Sequence, residues 1–161
     1  MLAGCGAAAP AARTAPAGYD FPVLTGRVVD SANLLPVADR TALTNKLTAL
    51  EKRTGHQFVV VTVPSLGGHS INDYGWKLGN TWHIGRKGIN DGMLLIVAPS
   101  ERKVRIEVGY GLEKALSNDK AAAIIDQAIL PDFKAGDFPR GIAAGVDGVI
   151  REISPPERLA A

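Results

Sequence analysis

Two short runs decide most of what this chain can become. Phe58-Val59-Val60-Val61-Thr62-Val63 and Met93-Leu94-Leu95-Ile96-Val97-Ala98 are apolar at nearly every position, the pattern of strands covered on both faces rather than wet on one. Between them, Ile71, Tyr74, Leu78 and Trp82 recur at helical spacing, with Ser70 and Asp73 placed to cap the helix start. Buried strand, amphipathic helix, buried strand is the grammar of an α/β domain.

The flanking segments extend it. Gly26 to Asp30 is a short apolar segment with polar residues behind it. Pro36 suits a first helical turn, Leu43, Leu47 and Leu50 share one face, and Thr54-Gly55 stops the helix. After the second run, Ser100-Glu101-Arg102 makes a turn into Lys103-Val104-Arg105-Ile106-Glu107-Val108, whose alternation predicts a strand solvated on one face and a hairpin with its predecessor. A helix is expected from Asn118 or Asp119, carrying Ile124, Ile125, Ala128 and Ile129 and ending at Pro131. Another is expected from about Pro139, carrying Ile142, Val146, Ile150 and Ile153. The fold expected is a three-layer α/β domain, a mixed sheet of about four strands with helices on both faces.

The N-terminus has a different character. Leu2-Ala3-Gly4-Cys5 matches the end of a bacterial lipoprotein signal peptide, in which the cysteine carries the lipid and small residues precede the cleavage point. The alternative is a chance cysteine in an Ala-rich leader. Gly6 to Gly18 is almost wholly Ala, Pro, Gly and Thr, too poor in large apolar residues to fold, and reads as a tether. The chain thus divides into a signal remnant and tether (1–20), a folded domain (21–153) and a loose tail with Pro155-Pro156 (154–161). Cys5 is the only cysteine, which excludes a disulfide framework and a cysteine metal site. A net charge of +2 offers no single-sign field for nucleic acid. No apolar run reaches the ~18 residues that span a bilayer, so the expected membrane attachment is lipid on Cys5, on the periplasmic side of the cell envelope.

Candidate chemistry rests on carboxylates beside strands. Asp30 follows the first strand, Asp91 precedes the third, Glu113 lies beyond the fourth, and Asp119 stands at a helix start. Because Asp91 enters a strand rather than leaving one, the four need not share one end of the sheet. Each has a local alternative: Asp30 can stabilise a turn, Asn90-Asp91-Gly92 can form one, and Asp119 can sit in a first helical turn. Hard oxygen ligands suit Ca²⁺ or Mg²⁺, whereas His56, His69 and His83 show no zinc-like pairing. Arg86-Lys87, in a Gly-rich loop, is the one candidate phosphate contact. The glycines flanking Tyr110 are expected to allow a sharp turn and do not form a dinucleotide fingerprint, so no nucleotide is expected.

Val29-Asp30 with Leu34-Leu35, Thr54-Gly55-His56-Gln57 running into the first buried strand, Trp82-His83-Ile84-Gly85, Asn90-Asp91-Gly92, Val108-Gly109-Tyr110-Gly111-Leu112-Glu113 and Pro131-Asp132-Phe133 occur in an order and spacing that resemble the TPM domain over about residues 24 to 153. The resemblance implies a Rossmann-like sandwich that binds a divalent cation, usually Ca²⁺, with Mg²⁺ or Mn²⁺ as alternatives. It also implies metal ligands at Asp30, Asp91, Glu113 and Asp119, and envelope attachment. Many members carry a transmembrane segment after the domain; a lipid on Cys5 would supply attachment from the opposite end. Two functions follow as expectations. One is a tethered module that assembles, repairs or modulates a membrane protein complex. The other is a weak metal-dependent acid phosphatase acting on phosphomonoesters, which lacks a P-loop or an Asp-x-Asp nucleophile pair in this chain.

Overall fold

The computed structural model describes residues 15 to 154; Cys5, most of the tether and the tail beyond Ser154 lie outside them. Four strands, β1 (Val28–Asp30), β2 (Gln57–Thr62), β3 (Gly92–Ala98) and β4 (Lys103–Val108), form one sheet in the order β1-β2-β3-β4. The first three are parallel and β4 closes an antiparallel hairpin on β3. The two buried runs are the central pair, as their composition requires.

Helix α1 (Val37–Thr54) buries Leu43, Leu47 and Leu50 and ends at Gly55 with φ 79°, a left-handed turn that suits glycine. Its core joins Phe58, Val60, Met93, Leu95 and Val97 on one face of the sheet with α5 (Phe138–Ile153). Helix α2 (Ile71–Trp82) is capped by Ser70, which accepts from the Asp73 N–H, and buries Tyr74 and Leu78 against Val59, Val61, Leu94 and Ile96 on the opposite face. Since β1, β2 and β3 are sequential parallel neighbours while α1 and α2 cover opposite faces, the two crossovers have opposite hands, and one departs from the right-handed rule.

Pro131 does not end the helix that begins as α3 (Asn118–Ile124). A π-helical turn over Ile125–Ile129 leads into α4 (Leu130–Lys134), which takes Pro131 in its first turn. The wider turn places a residue without an N–H where none is needed. Helix α5 starts at Phe138, one residue before the expected Pro139, and is capped by Asp137.

Packing also reaches further toward the N-terminus than the expected boundary at residue 20. The ring of Tyr19 stacks on His69 at 3.8 Å, Tyr74 donates to the Asp20 carbonyl at 3.0 Å, and Trp82 Nε1 donates to the Pro22 carbonyl at 3.2 Å. Residues 18 to 22 therefore form a strap along α2.

Candidate functional site

The four carboxylates do not gather. Asp30 stands level with Thr62 and, through it, with Val97 at the carboxyl end of β3, whereas Asp91 precedes Gly92 at the amino end. At about 3.3 Å per residue the two are roughly 20 Å apart along the strands. Among the described residues, no three His, Cys, Asp or Glu side chains lie close enough together to hold a metal ion. The expectation of one cation shared by Asp30, Asp91 and Glu113 is corrected on this geometry.

Local bonding explains why each carboxylate is where it is. Asp30 accepts from the Leu34 and Leu35 N–H groups at 2.9 and 2.8 Å and from the Thr62 hydroxyl at 2.6 Å, tying the turn after β1 to β2. Asp119 is exposed in the first turn of α3, where Ser117 supplies the cap.

Asp91 is the buried exception, 1% exposed. Its Oδ1 accepts from the Arg86 N–H at 2.9 Å, and its Oδ2 accepts from Arg86 Nε at 2.8 Å and Nη2 at 2.6 Å. His56 Nδ1 donates to Oδ2 at 2.9 Å. Burial by itself would raise this carboxyl, but the Arg86 guanidinium, the Arg86 N–H and His56 together hold it at about 2. Arg86, expected to meet phosphate, is thus engaged with Asp91, while Lys87 remains exposed. His56, just past the end of α1, is half-buried in this cluster. Its signal in the sequence was weak, since only the pairing of Gln57 with Gly92 brings Gly55-His56 beside Asp91.

The open chemistry lies elsewhere. A cleft of about 220 Å³ runs between α2, the entry to β3 and the end of β4, and Trp76, Asn80, Asn90, Glu107, Tyr110 and Glu113 line it. Of the predicted site residues among those described, only Glu113 reaches it. Trp76 and Tyr110 are 56% and 76% exposed, large apolar surfaces that the fold leaves uncovered. Glu107 is half-buried and accepts from Arg105 Nε at 2.7 Å through Oε2.

Two glycines shape the cleft floor, for a reason the sequence reading missed. Gly109 has φ −67°, which any residue adopts, so a sharp turn does not require it. A Cβ there would stand 2.2 Å from the Asn90 carbonyl oxygen, and one on Gly111 would stand 2.0 Å from that of Ile89. The backbones of 89–92 and 109–111 touch, joined by Gly109 N–H to Gly92 and Gly111 N–H to Asn90 at 2.8 and 2.9 Å.

Fold and site together define an α/β sandwich with a mixed sheet, a carboxylate-clamped loop and a glycine-floored cleft. The TPM domain family model matches residues 28–152, and the chain belongs to that family. It is similar to the solution structure of the N-terminal domain of a protein from P. gingivalis, at 34% identity over 80% of this chain and 82% of that one, with a TM-score of 0.75. The fold is also shared with the BA42 protein of the psychrophilic bacterium Bizionia argentinensis, at 19% identity over 75% and 82% of the two chains and a TM-score of 0.65. The N-terminal domain of the cg2496 protein of Corynebacterium glutamicum shares it at 15% identity, over 85% and 88%, with a TM-score of 0.62. No curated protein matches the chain.

Proposed function

We propose that this TPM domain is a docking module of the bacterial cell envelope, lipid-anchored at Cys5 on the periplasmic side, which helps assemble or repair a membrane protein complex. The observation that carries it is the cleft, where exposed Trp76 and Tyr110 stand beside carboxylates and amides, a composition suited to protein recognition. No helix among the described residues is long and apolar enough to cross a membrane.

A divalent cation enters the proposal at the cleft. Asp30 and Asp91 have their oxygens engaged and Glu107 Oε2 is taken by Arg105, whereas Glu113, Asn80 and Asn90, with the second oxygen of Glu107, are hard oxygen donors lining one space. Such a set suits Ca²⁺ at an affinity of about 0.1–1 mM, in the range of extracellular modules, where it would order the recognition surface. The alternative, a metal-dependent phosphatase, loses support because Arg86, one of its two candidate phosphate contacts, is engaged with Asp91, which leaves only the exposed Lys87.

A photoreactive amino acid at position 76 or 110 in the full-length chain is expected to form adducts with envelope proteins, and the same group at the exposed Asn45 on α1 is expected to form none. Cys5→Ser is expected to move the protein out of the membrane fraction and abolish the adducts. Equal labelling from position 45, or membrane retention without Cys5, contradicts the proposal. Metal-dependent turnover of a phosphomonoester that disappears in a folded Glu113→Ala variant would establish the enzyme instead.

A further inference from the structure

Strand β4 forms one border of the sheet, with β3 on one side and no strand on the other. Its backbone alternates in direction. The Gly109 N–H donates to the Gly92 carbonyl, which makes 92 with 109 a hydrogen-bonded pair and, by alternation down the ladder, gives the same role to Leu94 with Glu107, Ile96 with Arg105 and Ala98 with Lys103. The N–H and C=O groups of Val104, Ile106 and Val108 consequently point away from β3. No hydrogen bond among the described residues reaches them. Edge strands are ordinarily blunted by charged side chains, proline, a bulge or short length, as β1 is at three residues; β4 runs six residues without proline or bulge, and its charges, Lys103, Arg105 and Glu107, are of both signs, so they repel some registers and favour another.

We propose that β4 pairs antiparallel with β4 of a second copy of this chain, joining two four-stranded sheets into one. Charge complementarity selects both the partner and the register. With Ile106 opposite its own counterpart, Val104 faces Val108 of the second copy, giving about six new backbone hydrogen bonds. On the α2 face of the sheet, Arg105 then lies directly opposite Glu107 of the second copy, and Glu107 opposite Arg105, while Lys103 faces the uncharged Gly109. Opposite charges at such cross-strand positions are favourable and like charges are not.

Neighbouring registers fail on the same residues. A slip of one step in one direction sets Arg105 against its own counterpart, and one step in the other sets Glu107 against its own. A two-step slip in the first direction opposes Lys103 to Arg105 and Glu101 to Glu107. Only the pairing centred on Ile106 unites opposite charges without opposing like ones. Arg105 Nε already donates to Glu107 Oε2 within the strand at 2.7 Å, so pairing closes two such contacts into one four-charge cluster. The side chains on the other face are apolar in both copies, Val104 and Val108 half-buried and Ile106 buried.

Sedimentation velocity of the 161-residue chain from micromolar to millimolar concentration tests this. The expected result is a reversible monomer–dimer equilibrium that weakens at high salt. Arg105→Glu should raise the dimer dissociation constant at least tenfold, and the exchanged double variant Arg105→Glu with Glu107→Arg should restore it. Val104→Pro, which removes one outward N–H at a position where an edge strand tolerates proline, should also abolish the dimer, with circular dichroism confirming that the monomer remains folded. A monomer at every concentration, or a dimer indifferent to Arg105→Glu in the folded variant, overturns the pairing. A dimer weakened by Arg105→Glu but not recovered in the double variant overturns the register.

Discussion

Asp91→Ala is expected to destabilise the domain by about 3 kcal/mol at neutral pH, the low end of what breaking a buried ion pair costs, because Arg86 can partly return to water. The Arg86 N–H and His56 Nδ1 would lose their acceptor at the entry to β3, where the carboxylate is buried. The loss is large against a total stability of about 5–15 kcal/mol. It carries a pH signature with a definite sign. The Asp91 carboxyl lies at about 2 in the fold against 3.8 when free, so its contribution is complete above about pH 4 and disappears as the pH falls through 2. The difference corresponds to about 2 kcal/mol. Urea unfolding at pH 7 and at pH 2 should show wild type and variant far apart in the first case and close in the second. A gap that does not narrow in acid would mean that Asp91 acts through its shape rather than its charge.

Gly109→Ala is expected to cost about 3 kcal/mol, at the upper end of the usual overpacking penalty. The reasoning is steric alone. Alanine adopts the φ of −67° without strain, but its methyl group would meet the Asn90 carbonyl oxygen at 2.2 Å, and a backbone atom cannot swing aside as a flexible side chain can. The clash would also pull the Gly109 N–H from the Gly92 carbonyl and spread the cleft floor. Gly136→Ala is the comparison, since Gly136 has φ 81° and nothing within 4 Å of its missing Cβ. It should cost about 1 kcal/mol through backbone conformation only. Thermal melting of the two variants separates the mechanisms, at roughly 3 °C per kcal/mol for a domain of this size. Equal losses would show that the contact between 89–92 and 109–111 is slack.

What could be read in the chain followed from how far apart the causes lie. The central strands announced themselves because burial on both faces demands apolar residues throughout, and α1 and α2 because one helical face must meet the sheet. Ser70 and Gly55 marked helix ends through contacts a few residues long. The Asp91 cluster was hidden because His56 lies 35 residues away in sequence and meets Asp91 only when β2 and β3 register. Gly109 and Gly111 were correctly noticed for the wrong reason, since a backbone approaching from residues 89–92 leaves no local mark. The spread of Asp30 and Asp91 over opposite ends of the sheet followed from strand direction, which the position of Asp91 before its strand already hinted. Trp76 fell outside the core stripe of α2, and its meeting with Tyr110 and Glu113 depended on how that helix crosses β4.

The distinction between carboxylates that clamp the fold and those that face the cleft is tested most directly by a Ca²⁺ titration of the ¹⁵N-labelled protein. Amide shifts are expected at Asn80, Asn90 and Gly109 to Glu113, saturating near 1 mM, while the amides of Leu34 and Leu35 at Asp30 and of Arg86 at Asp91 stay fixed. Movement of Leu34, Leu35 or Arg86 ahead of the cleft, or no movement anywhere, would contradict it.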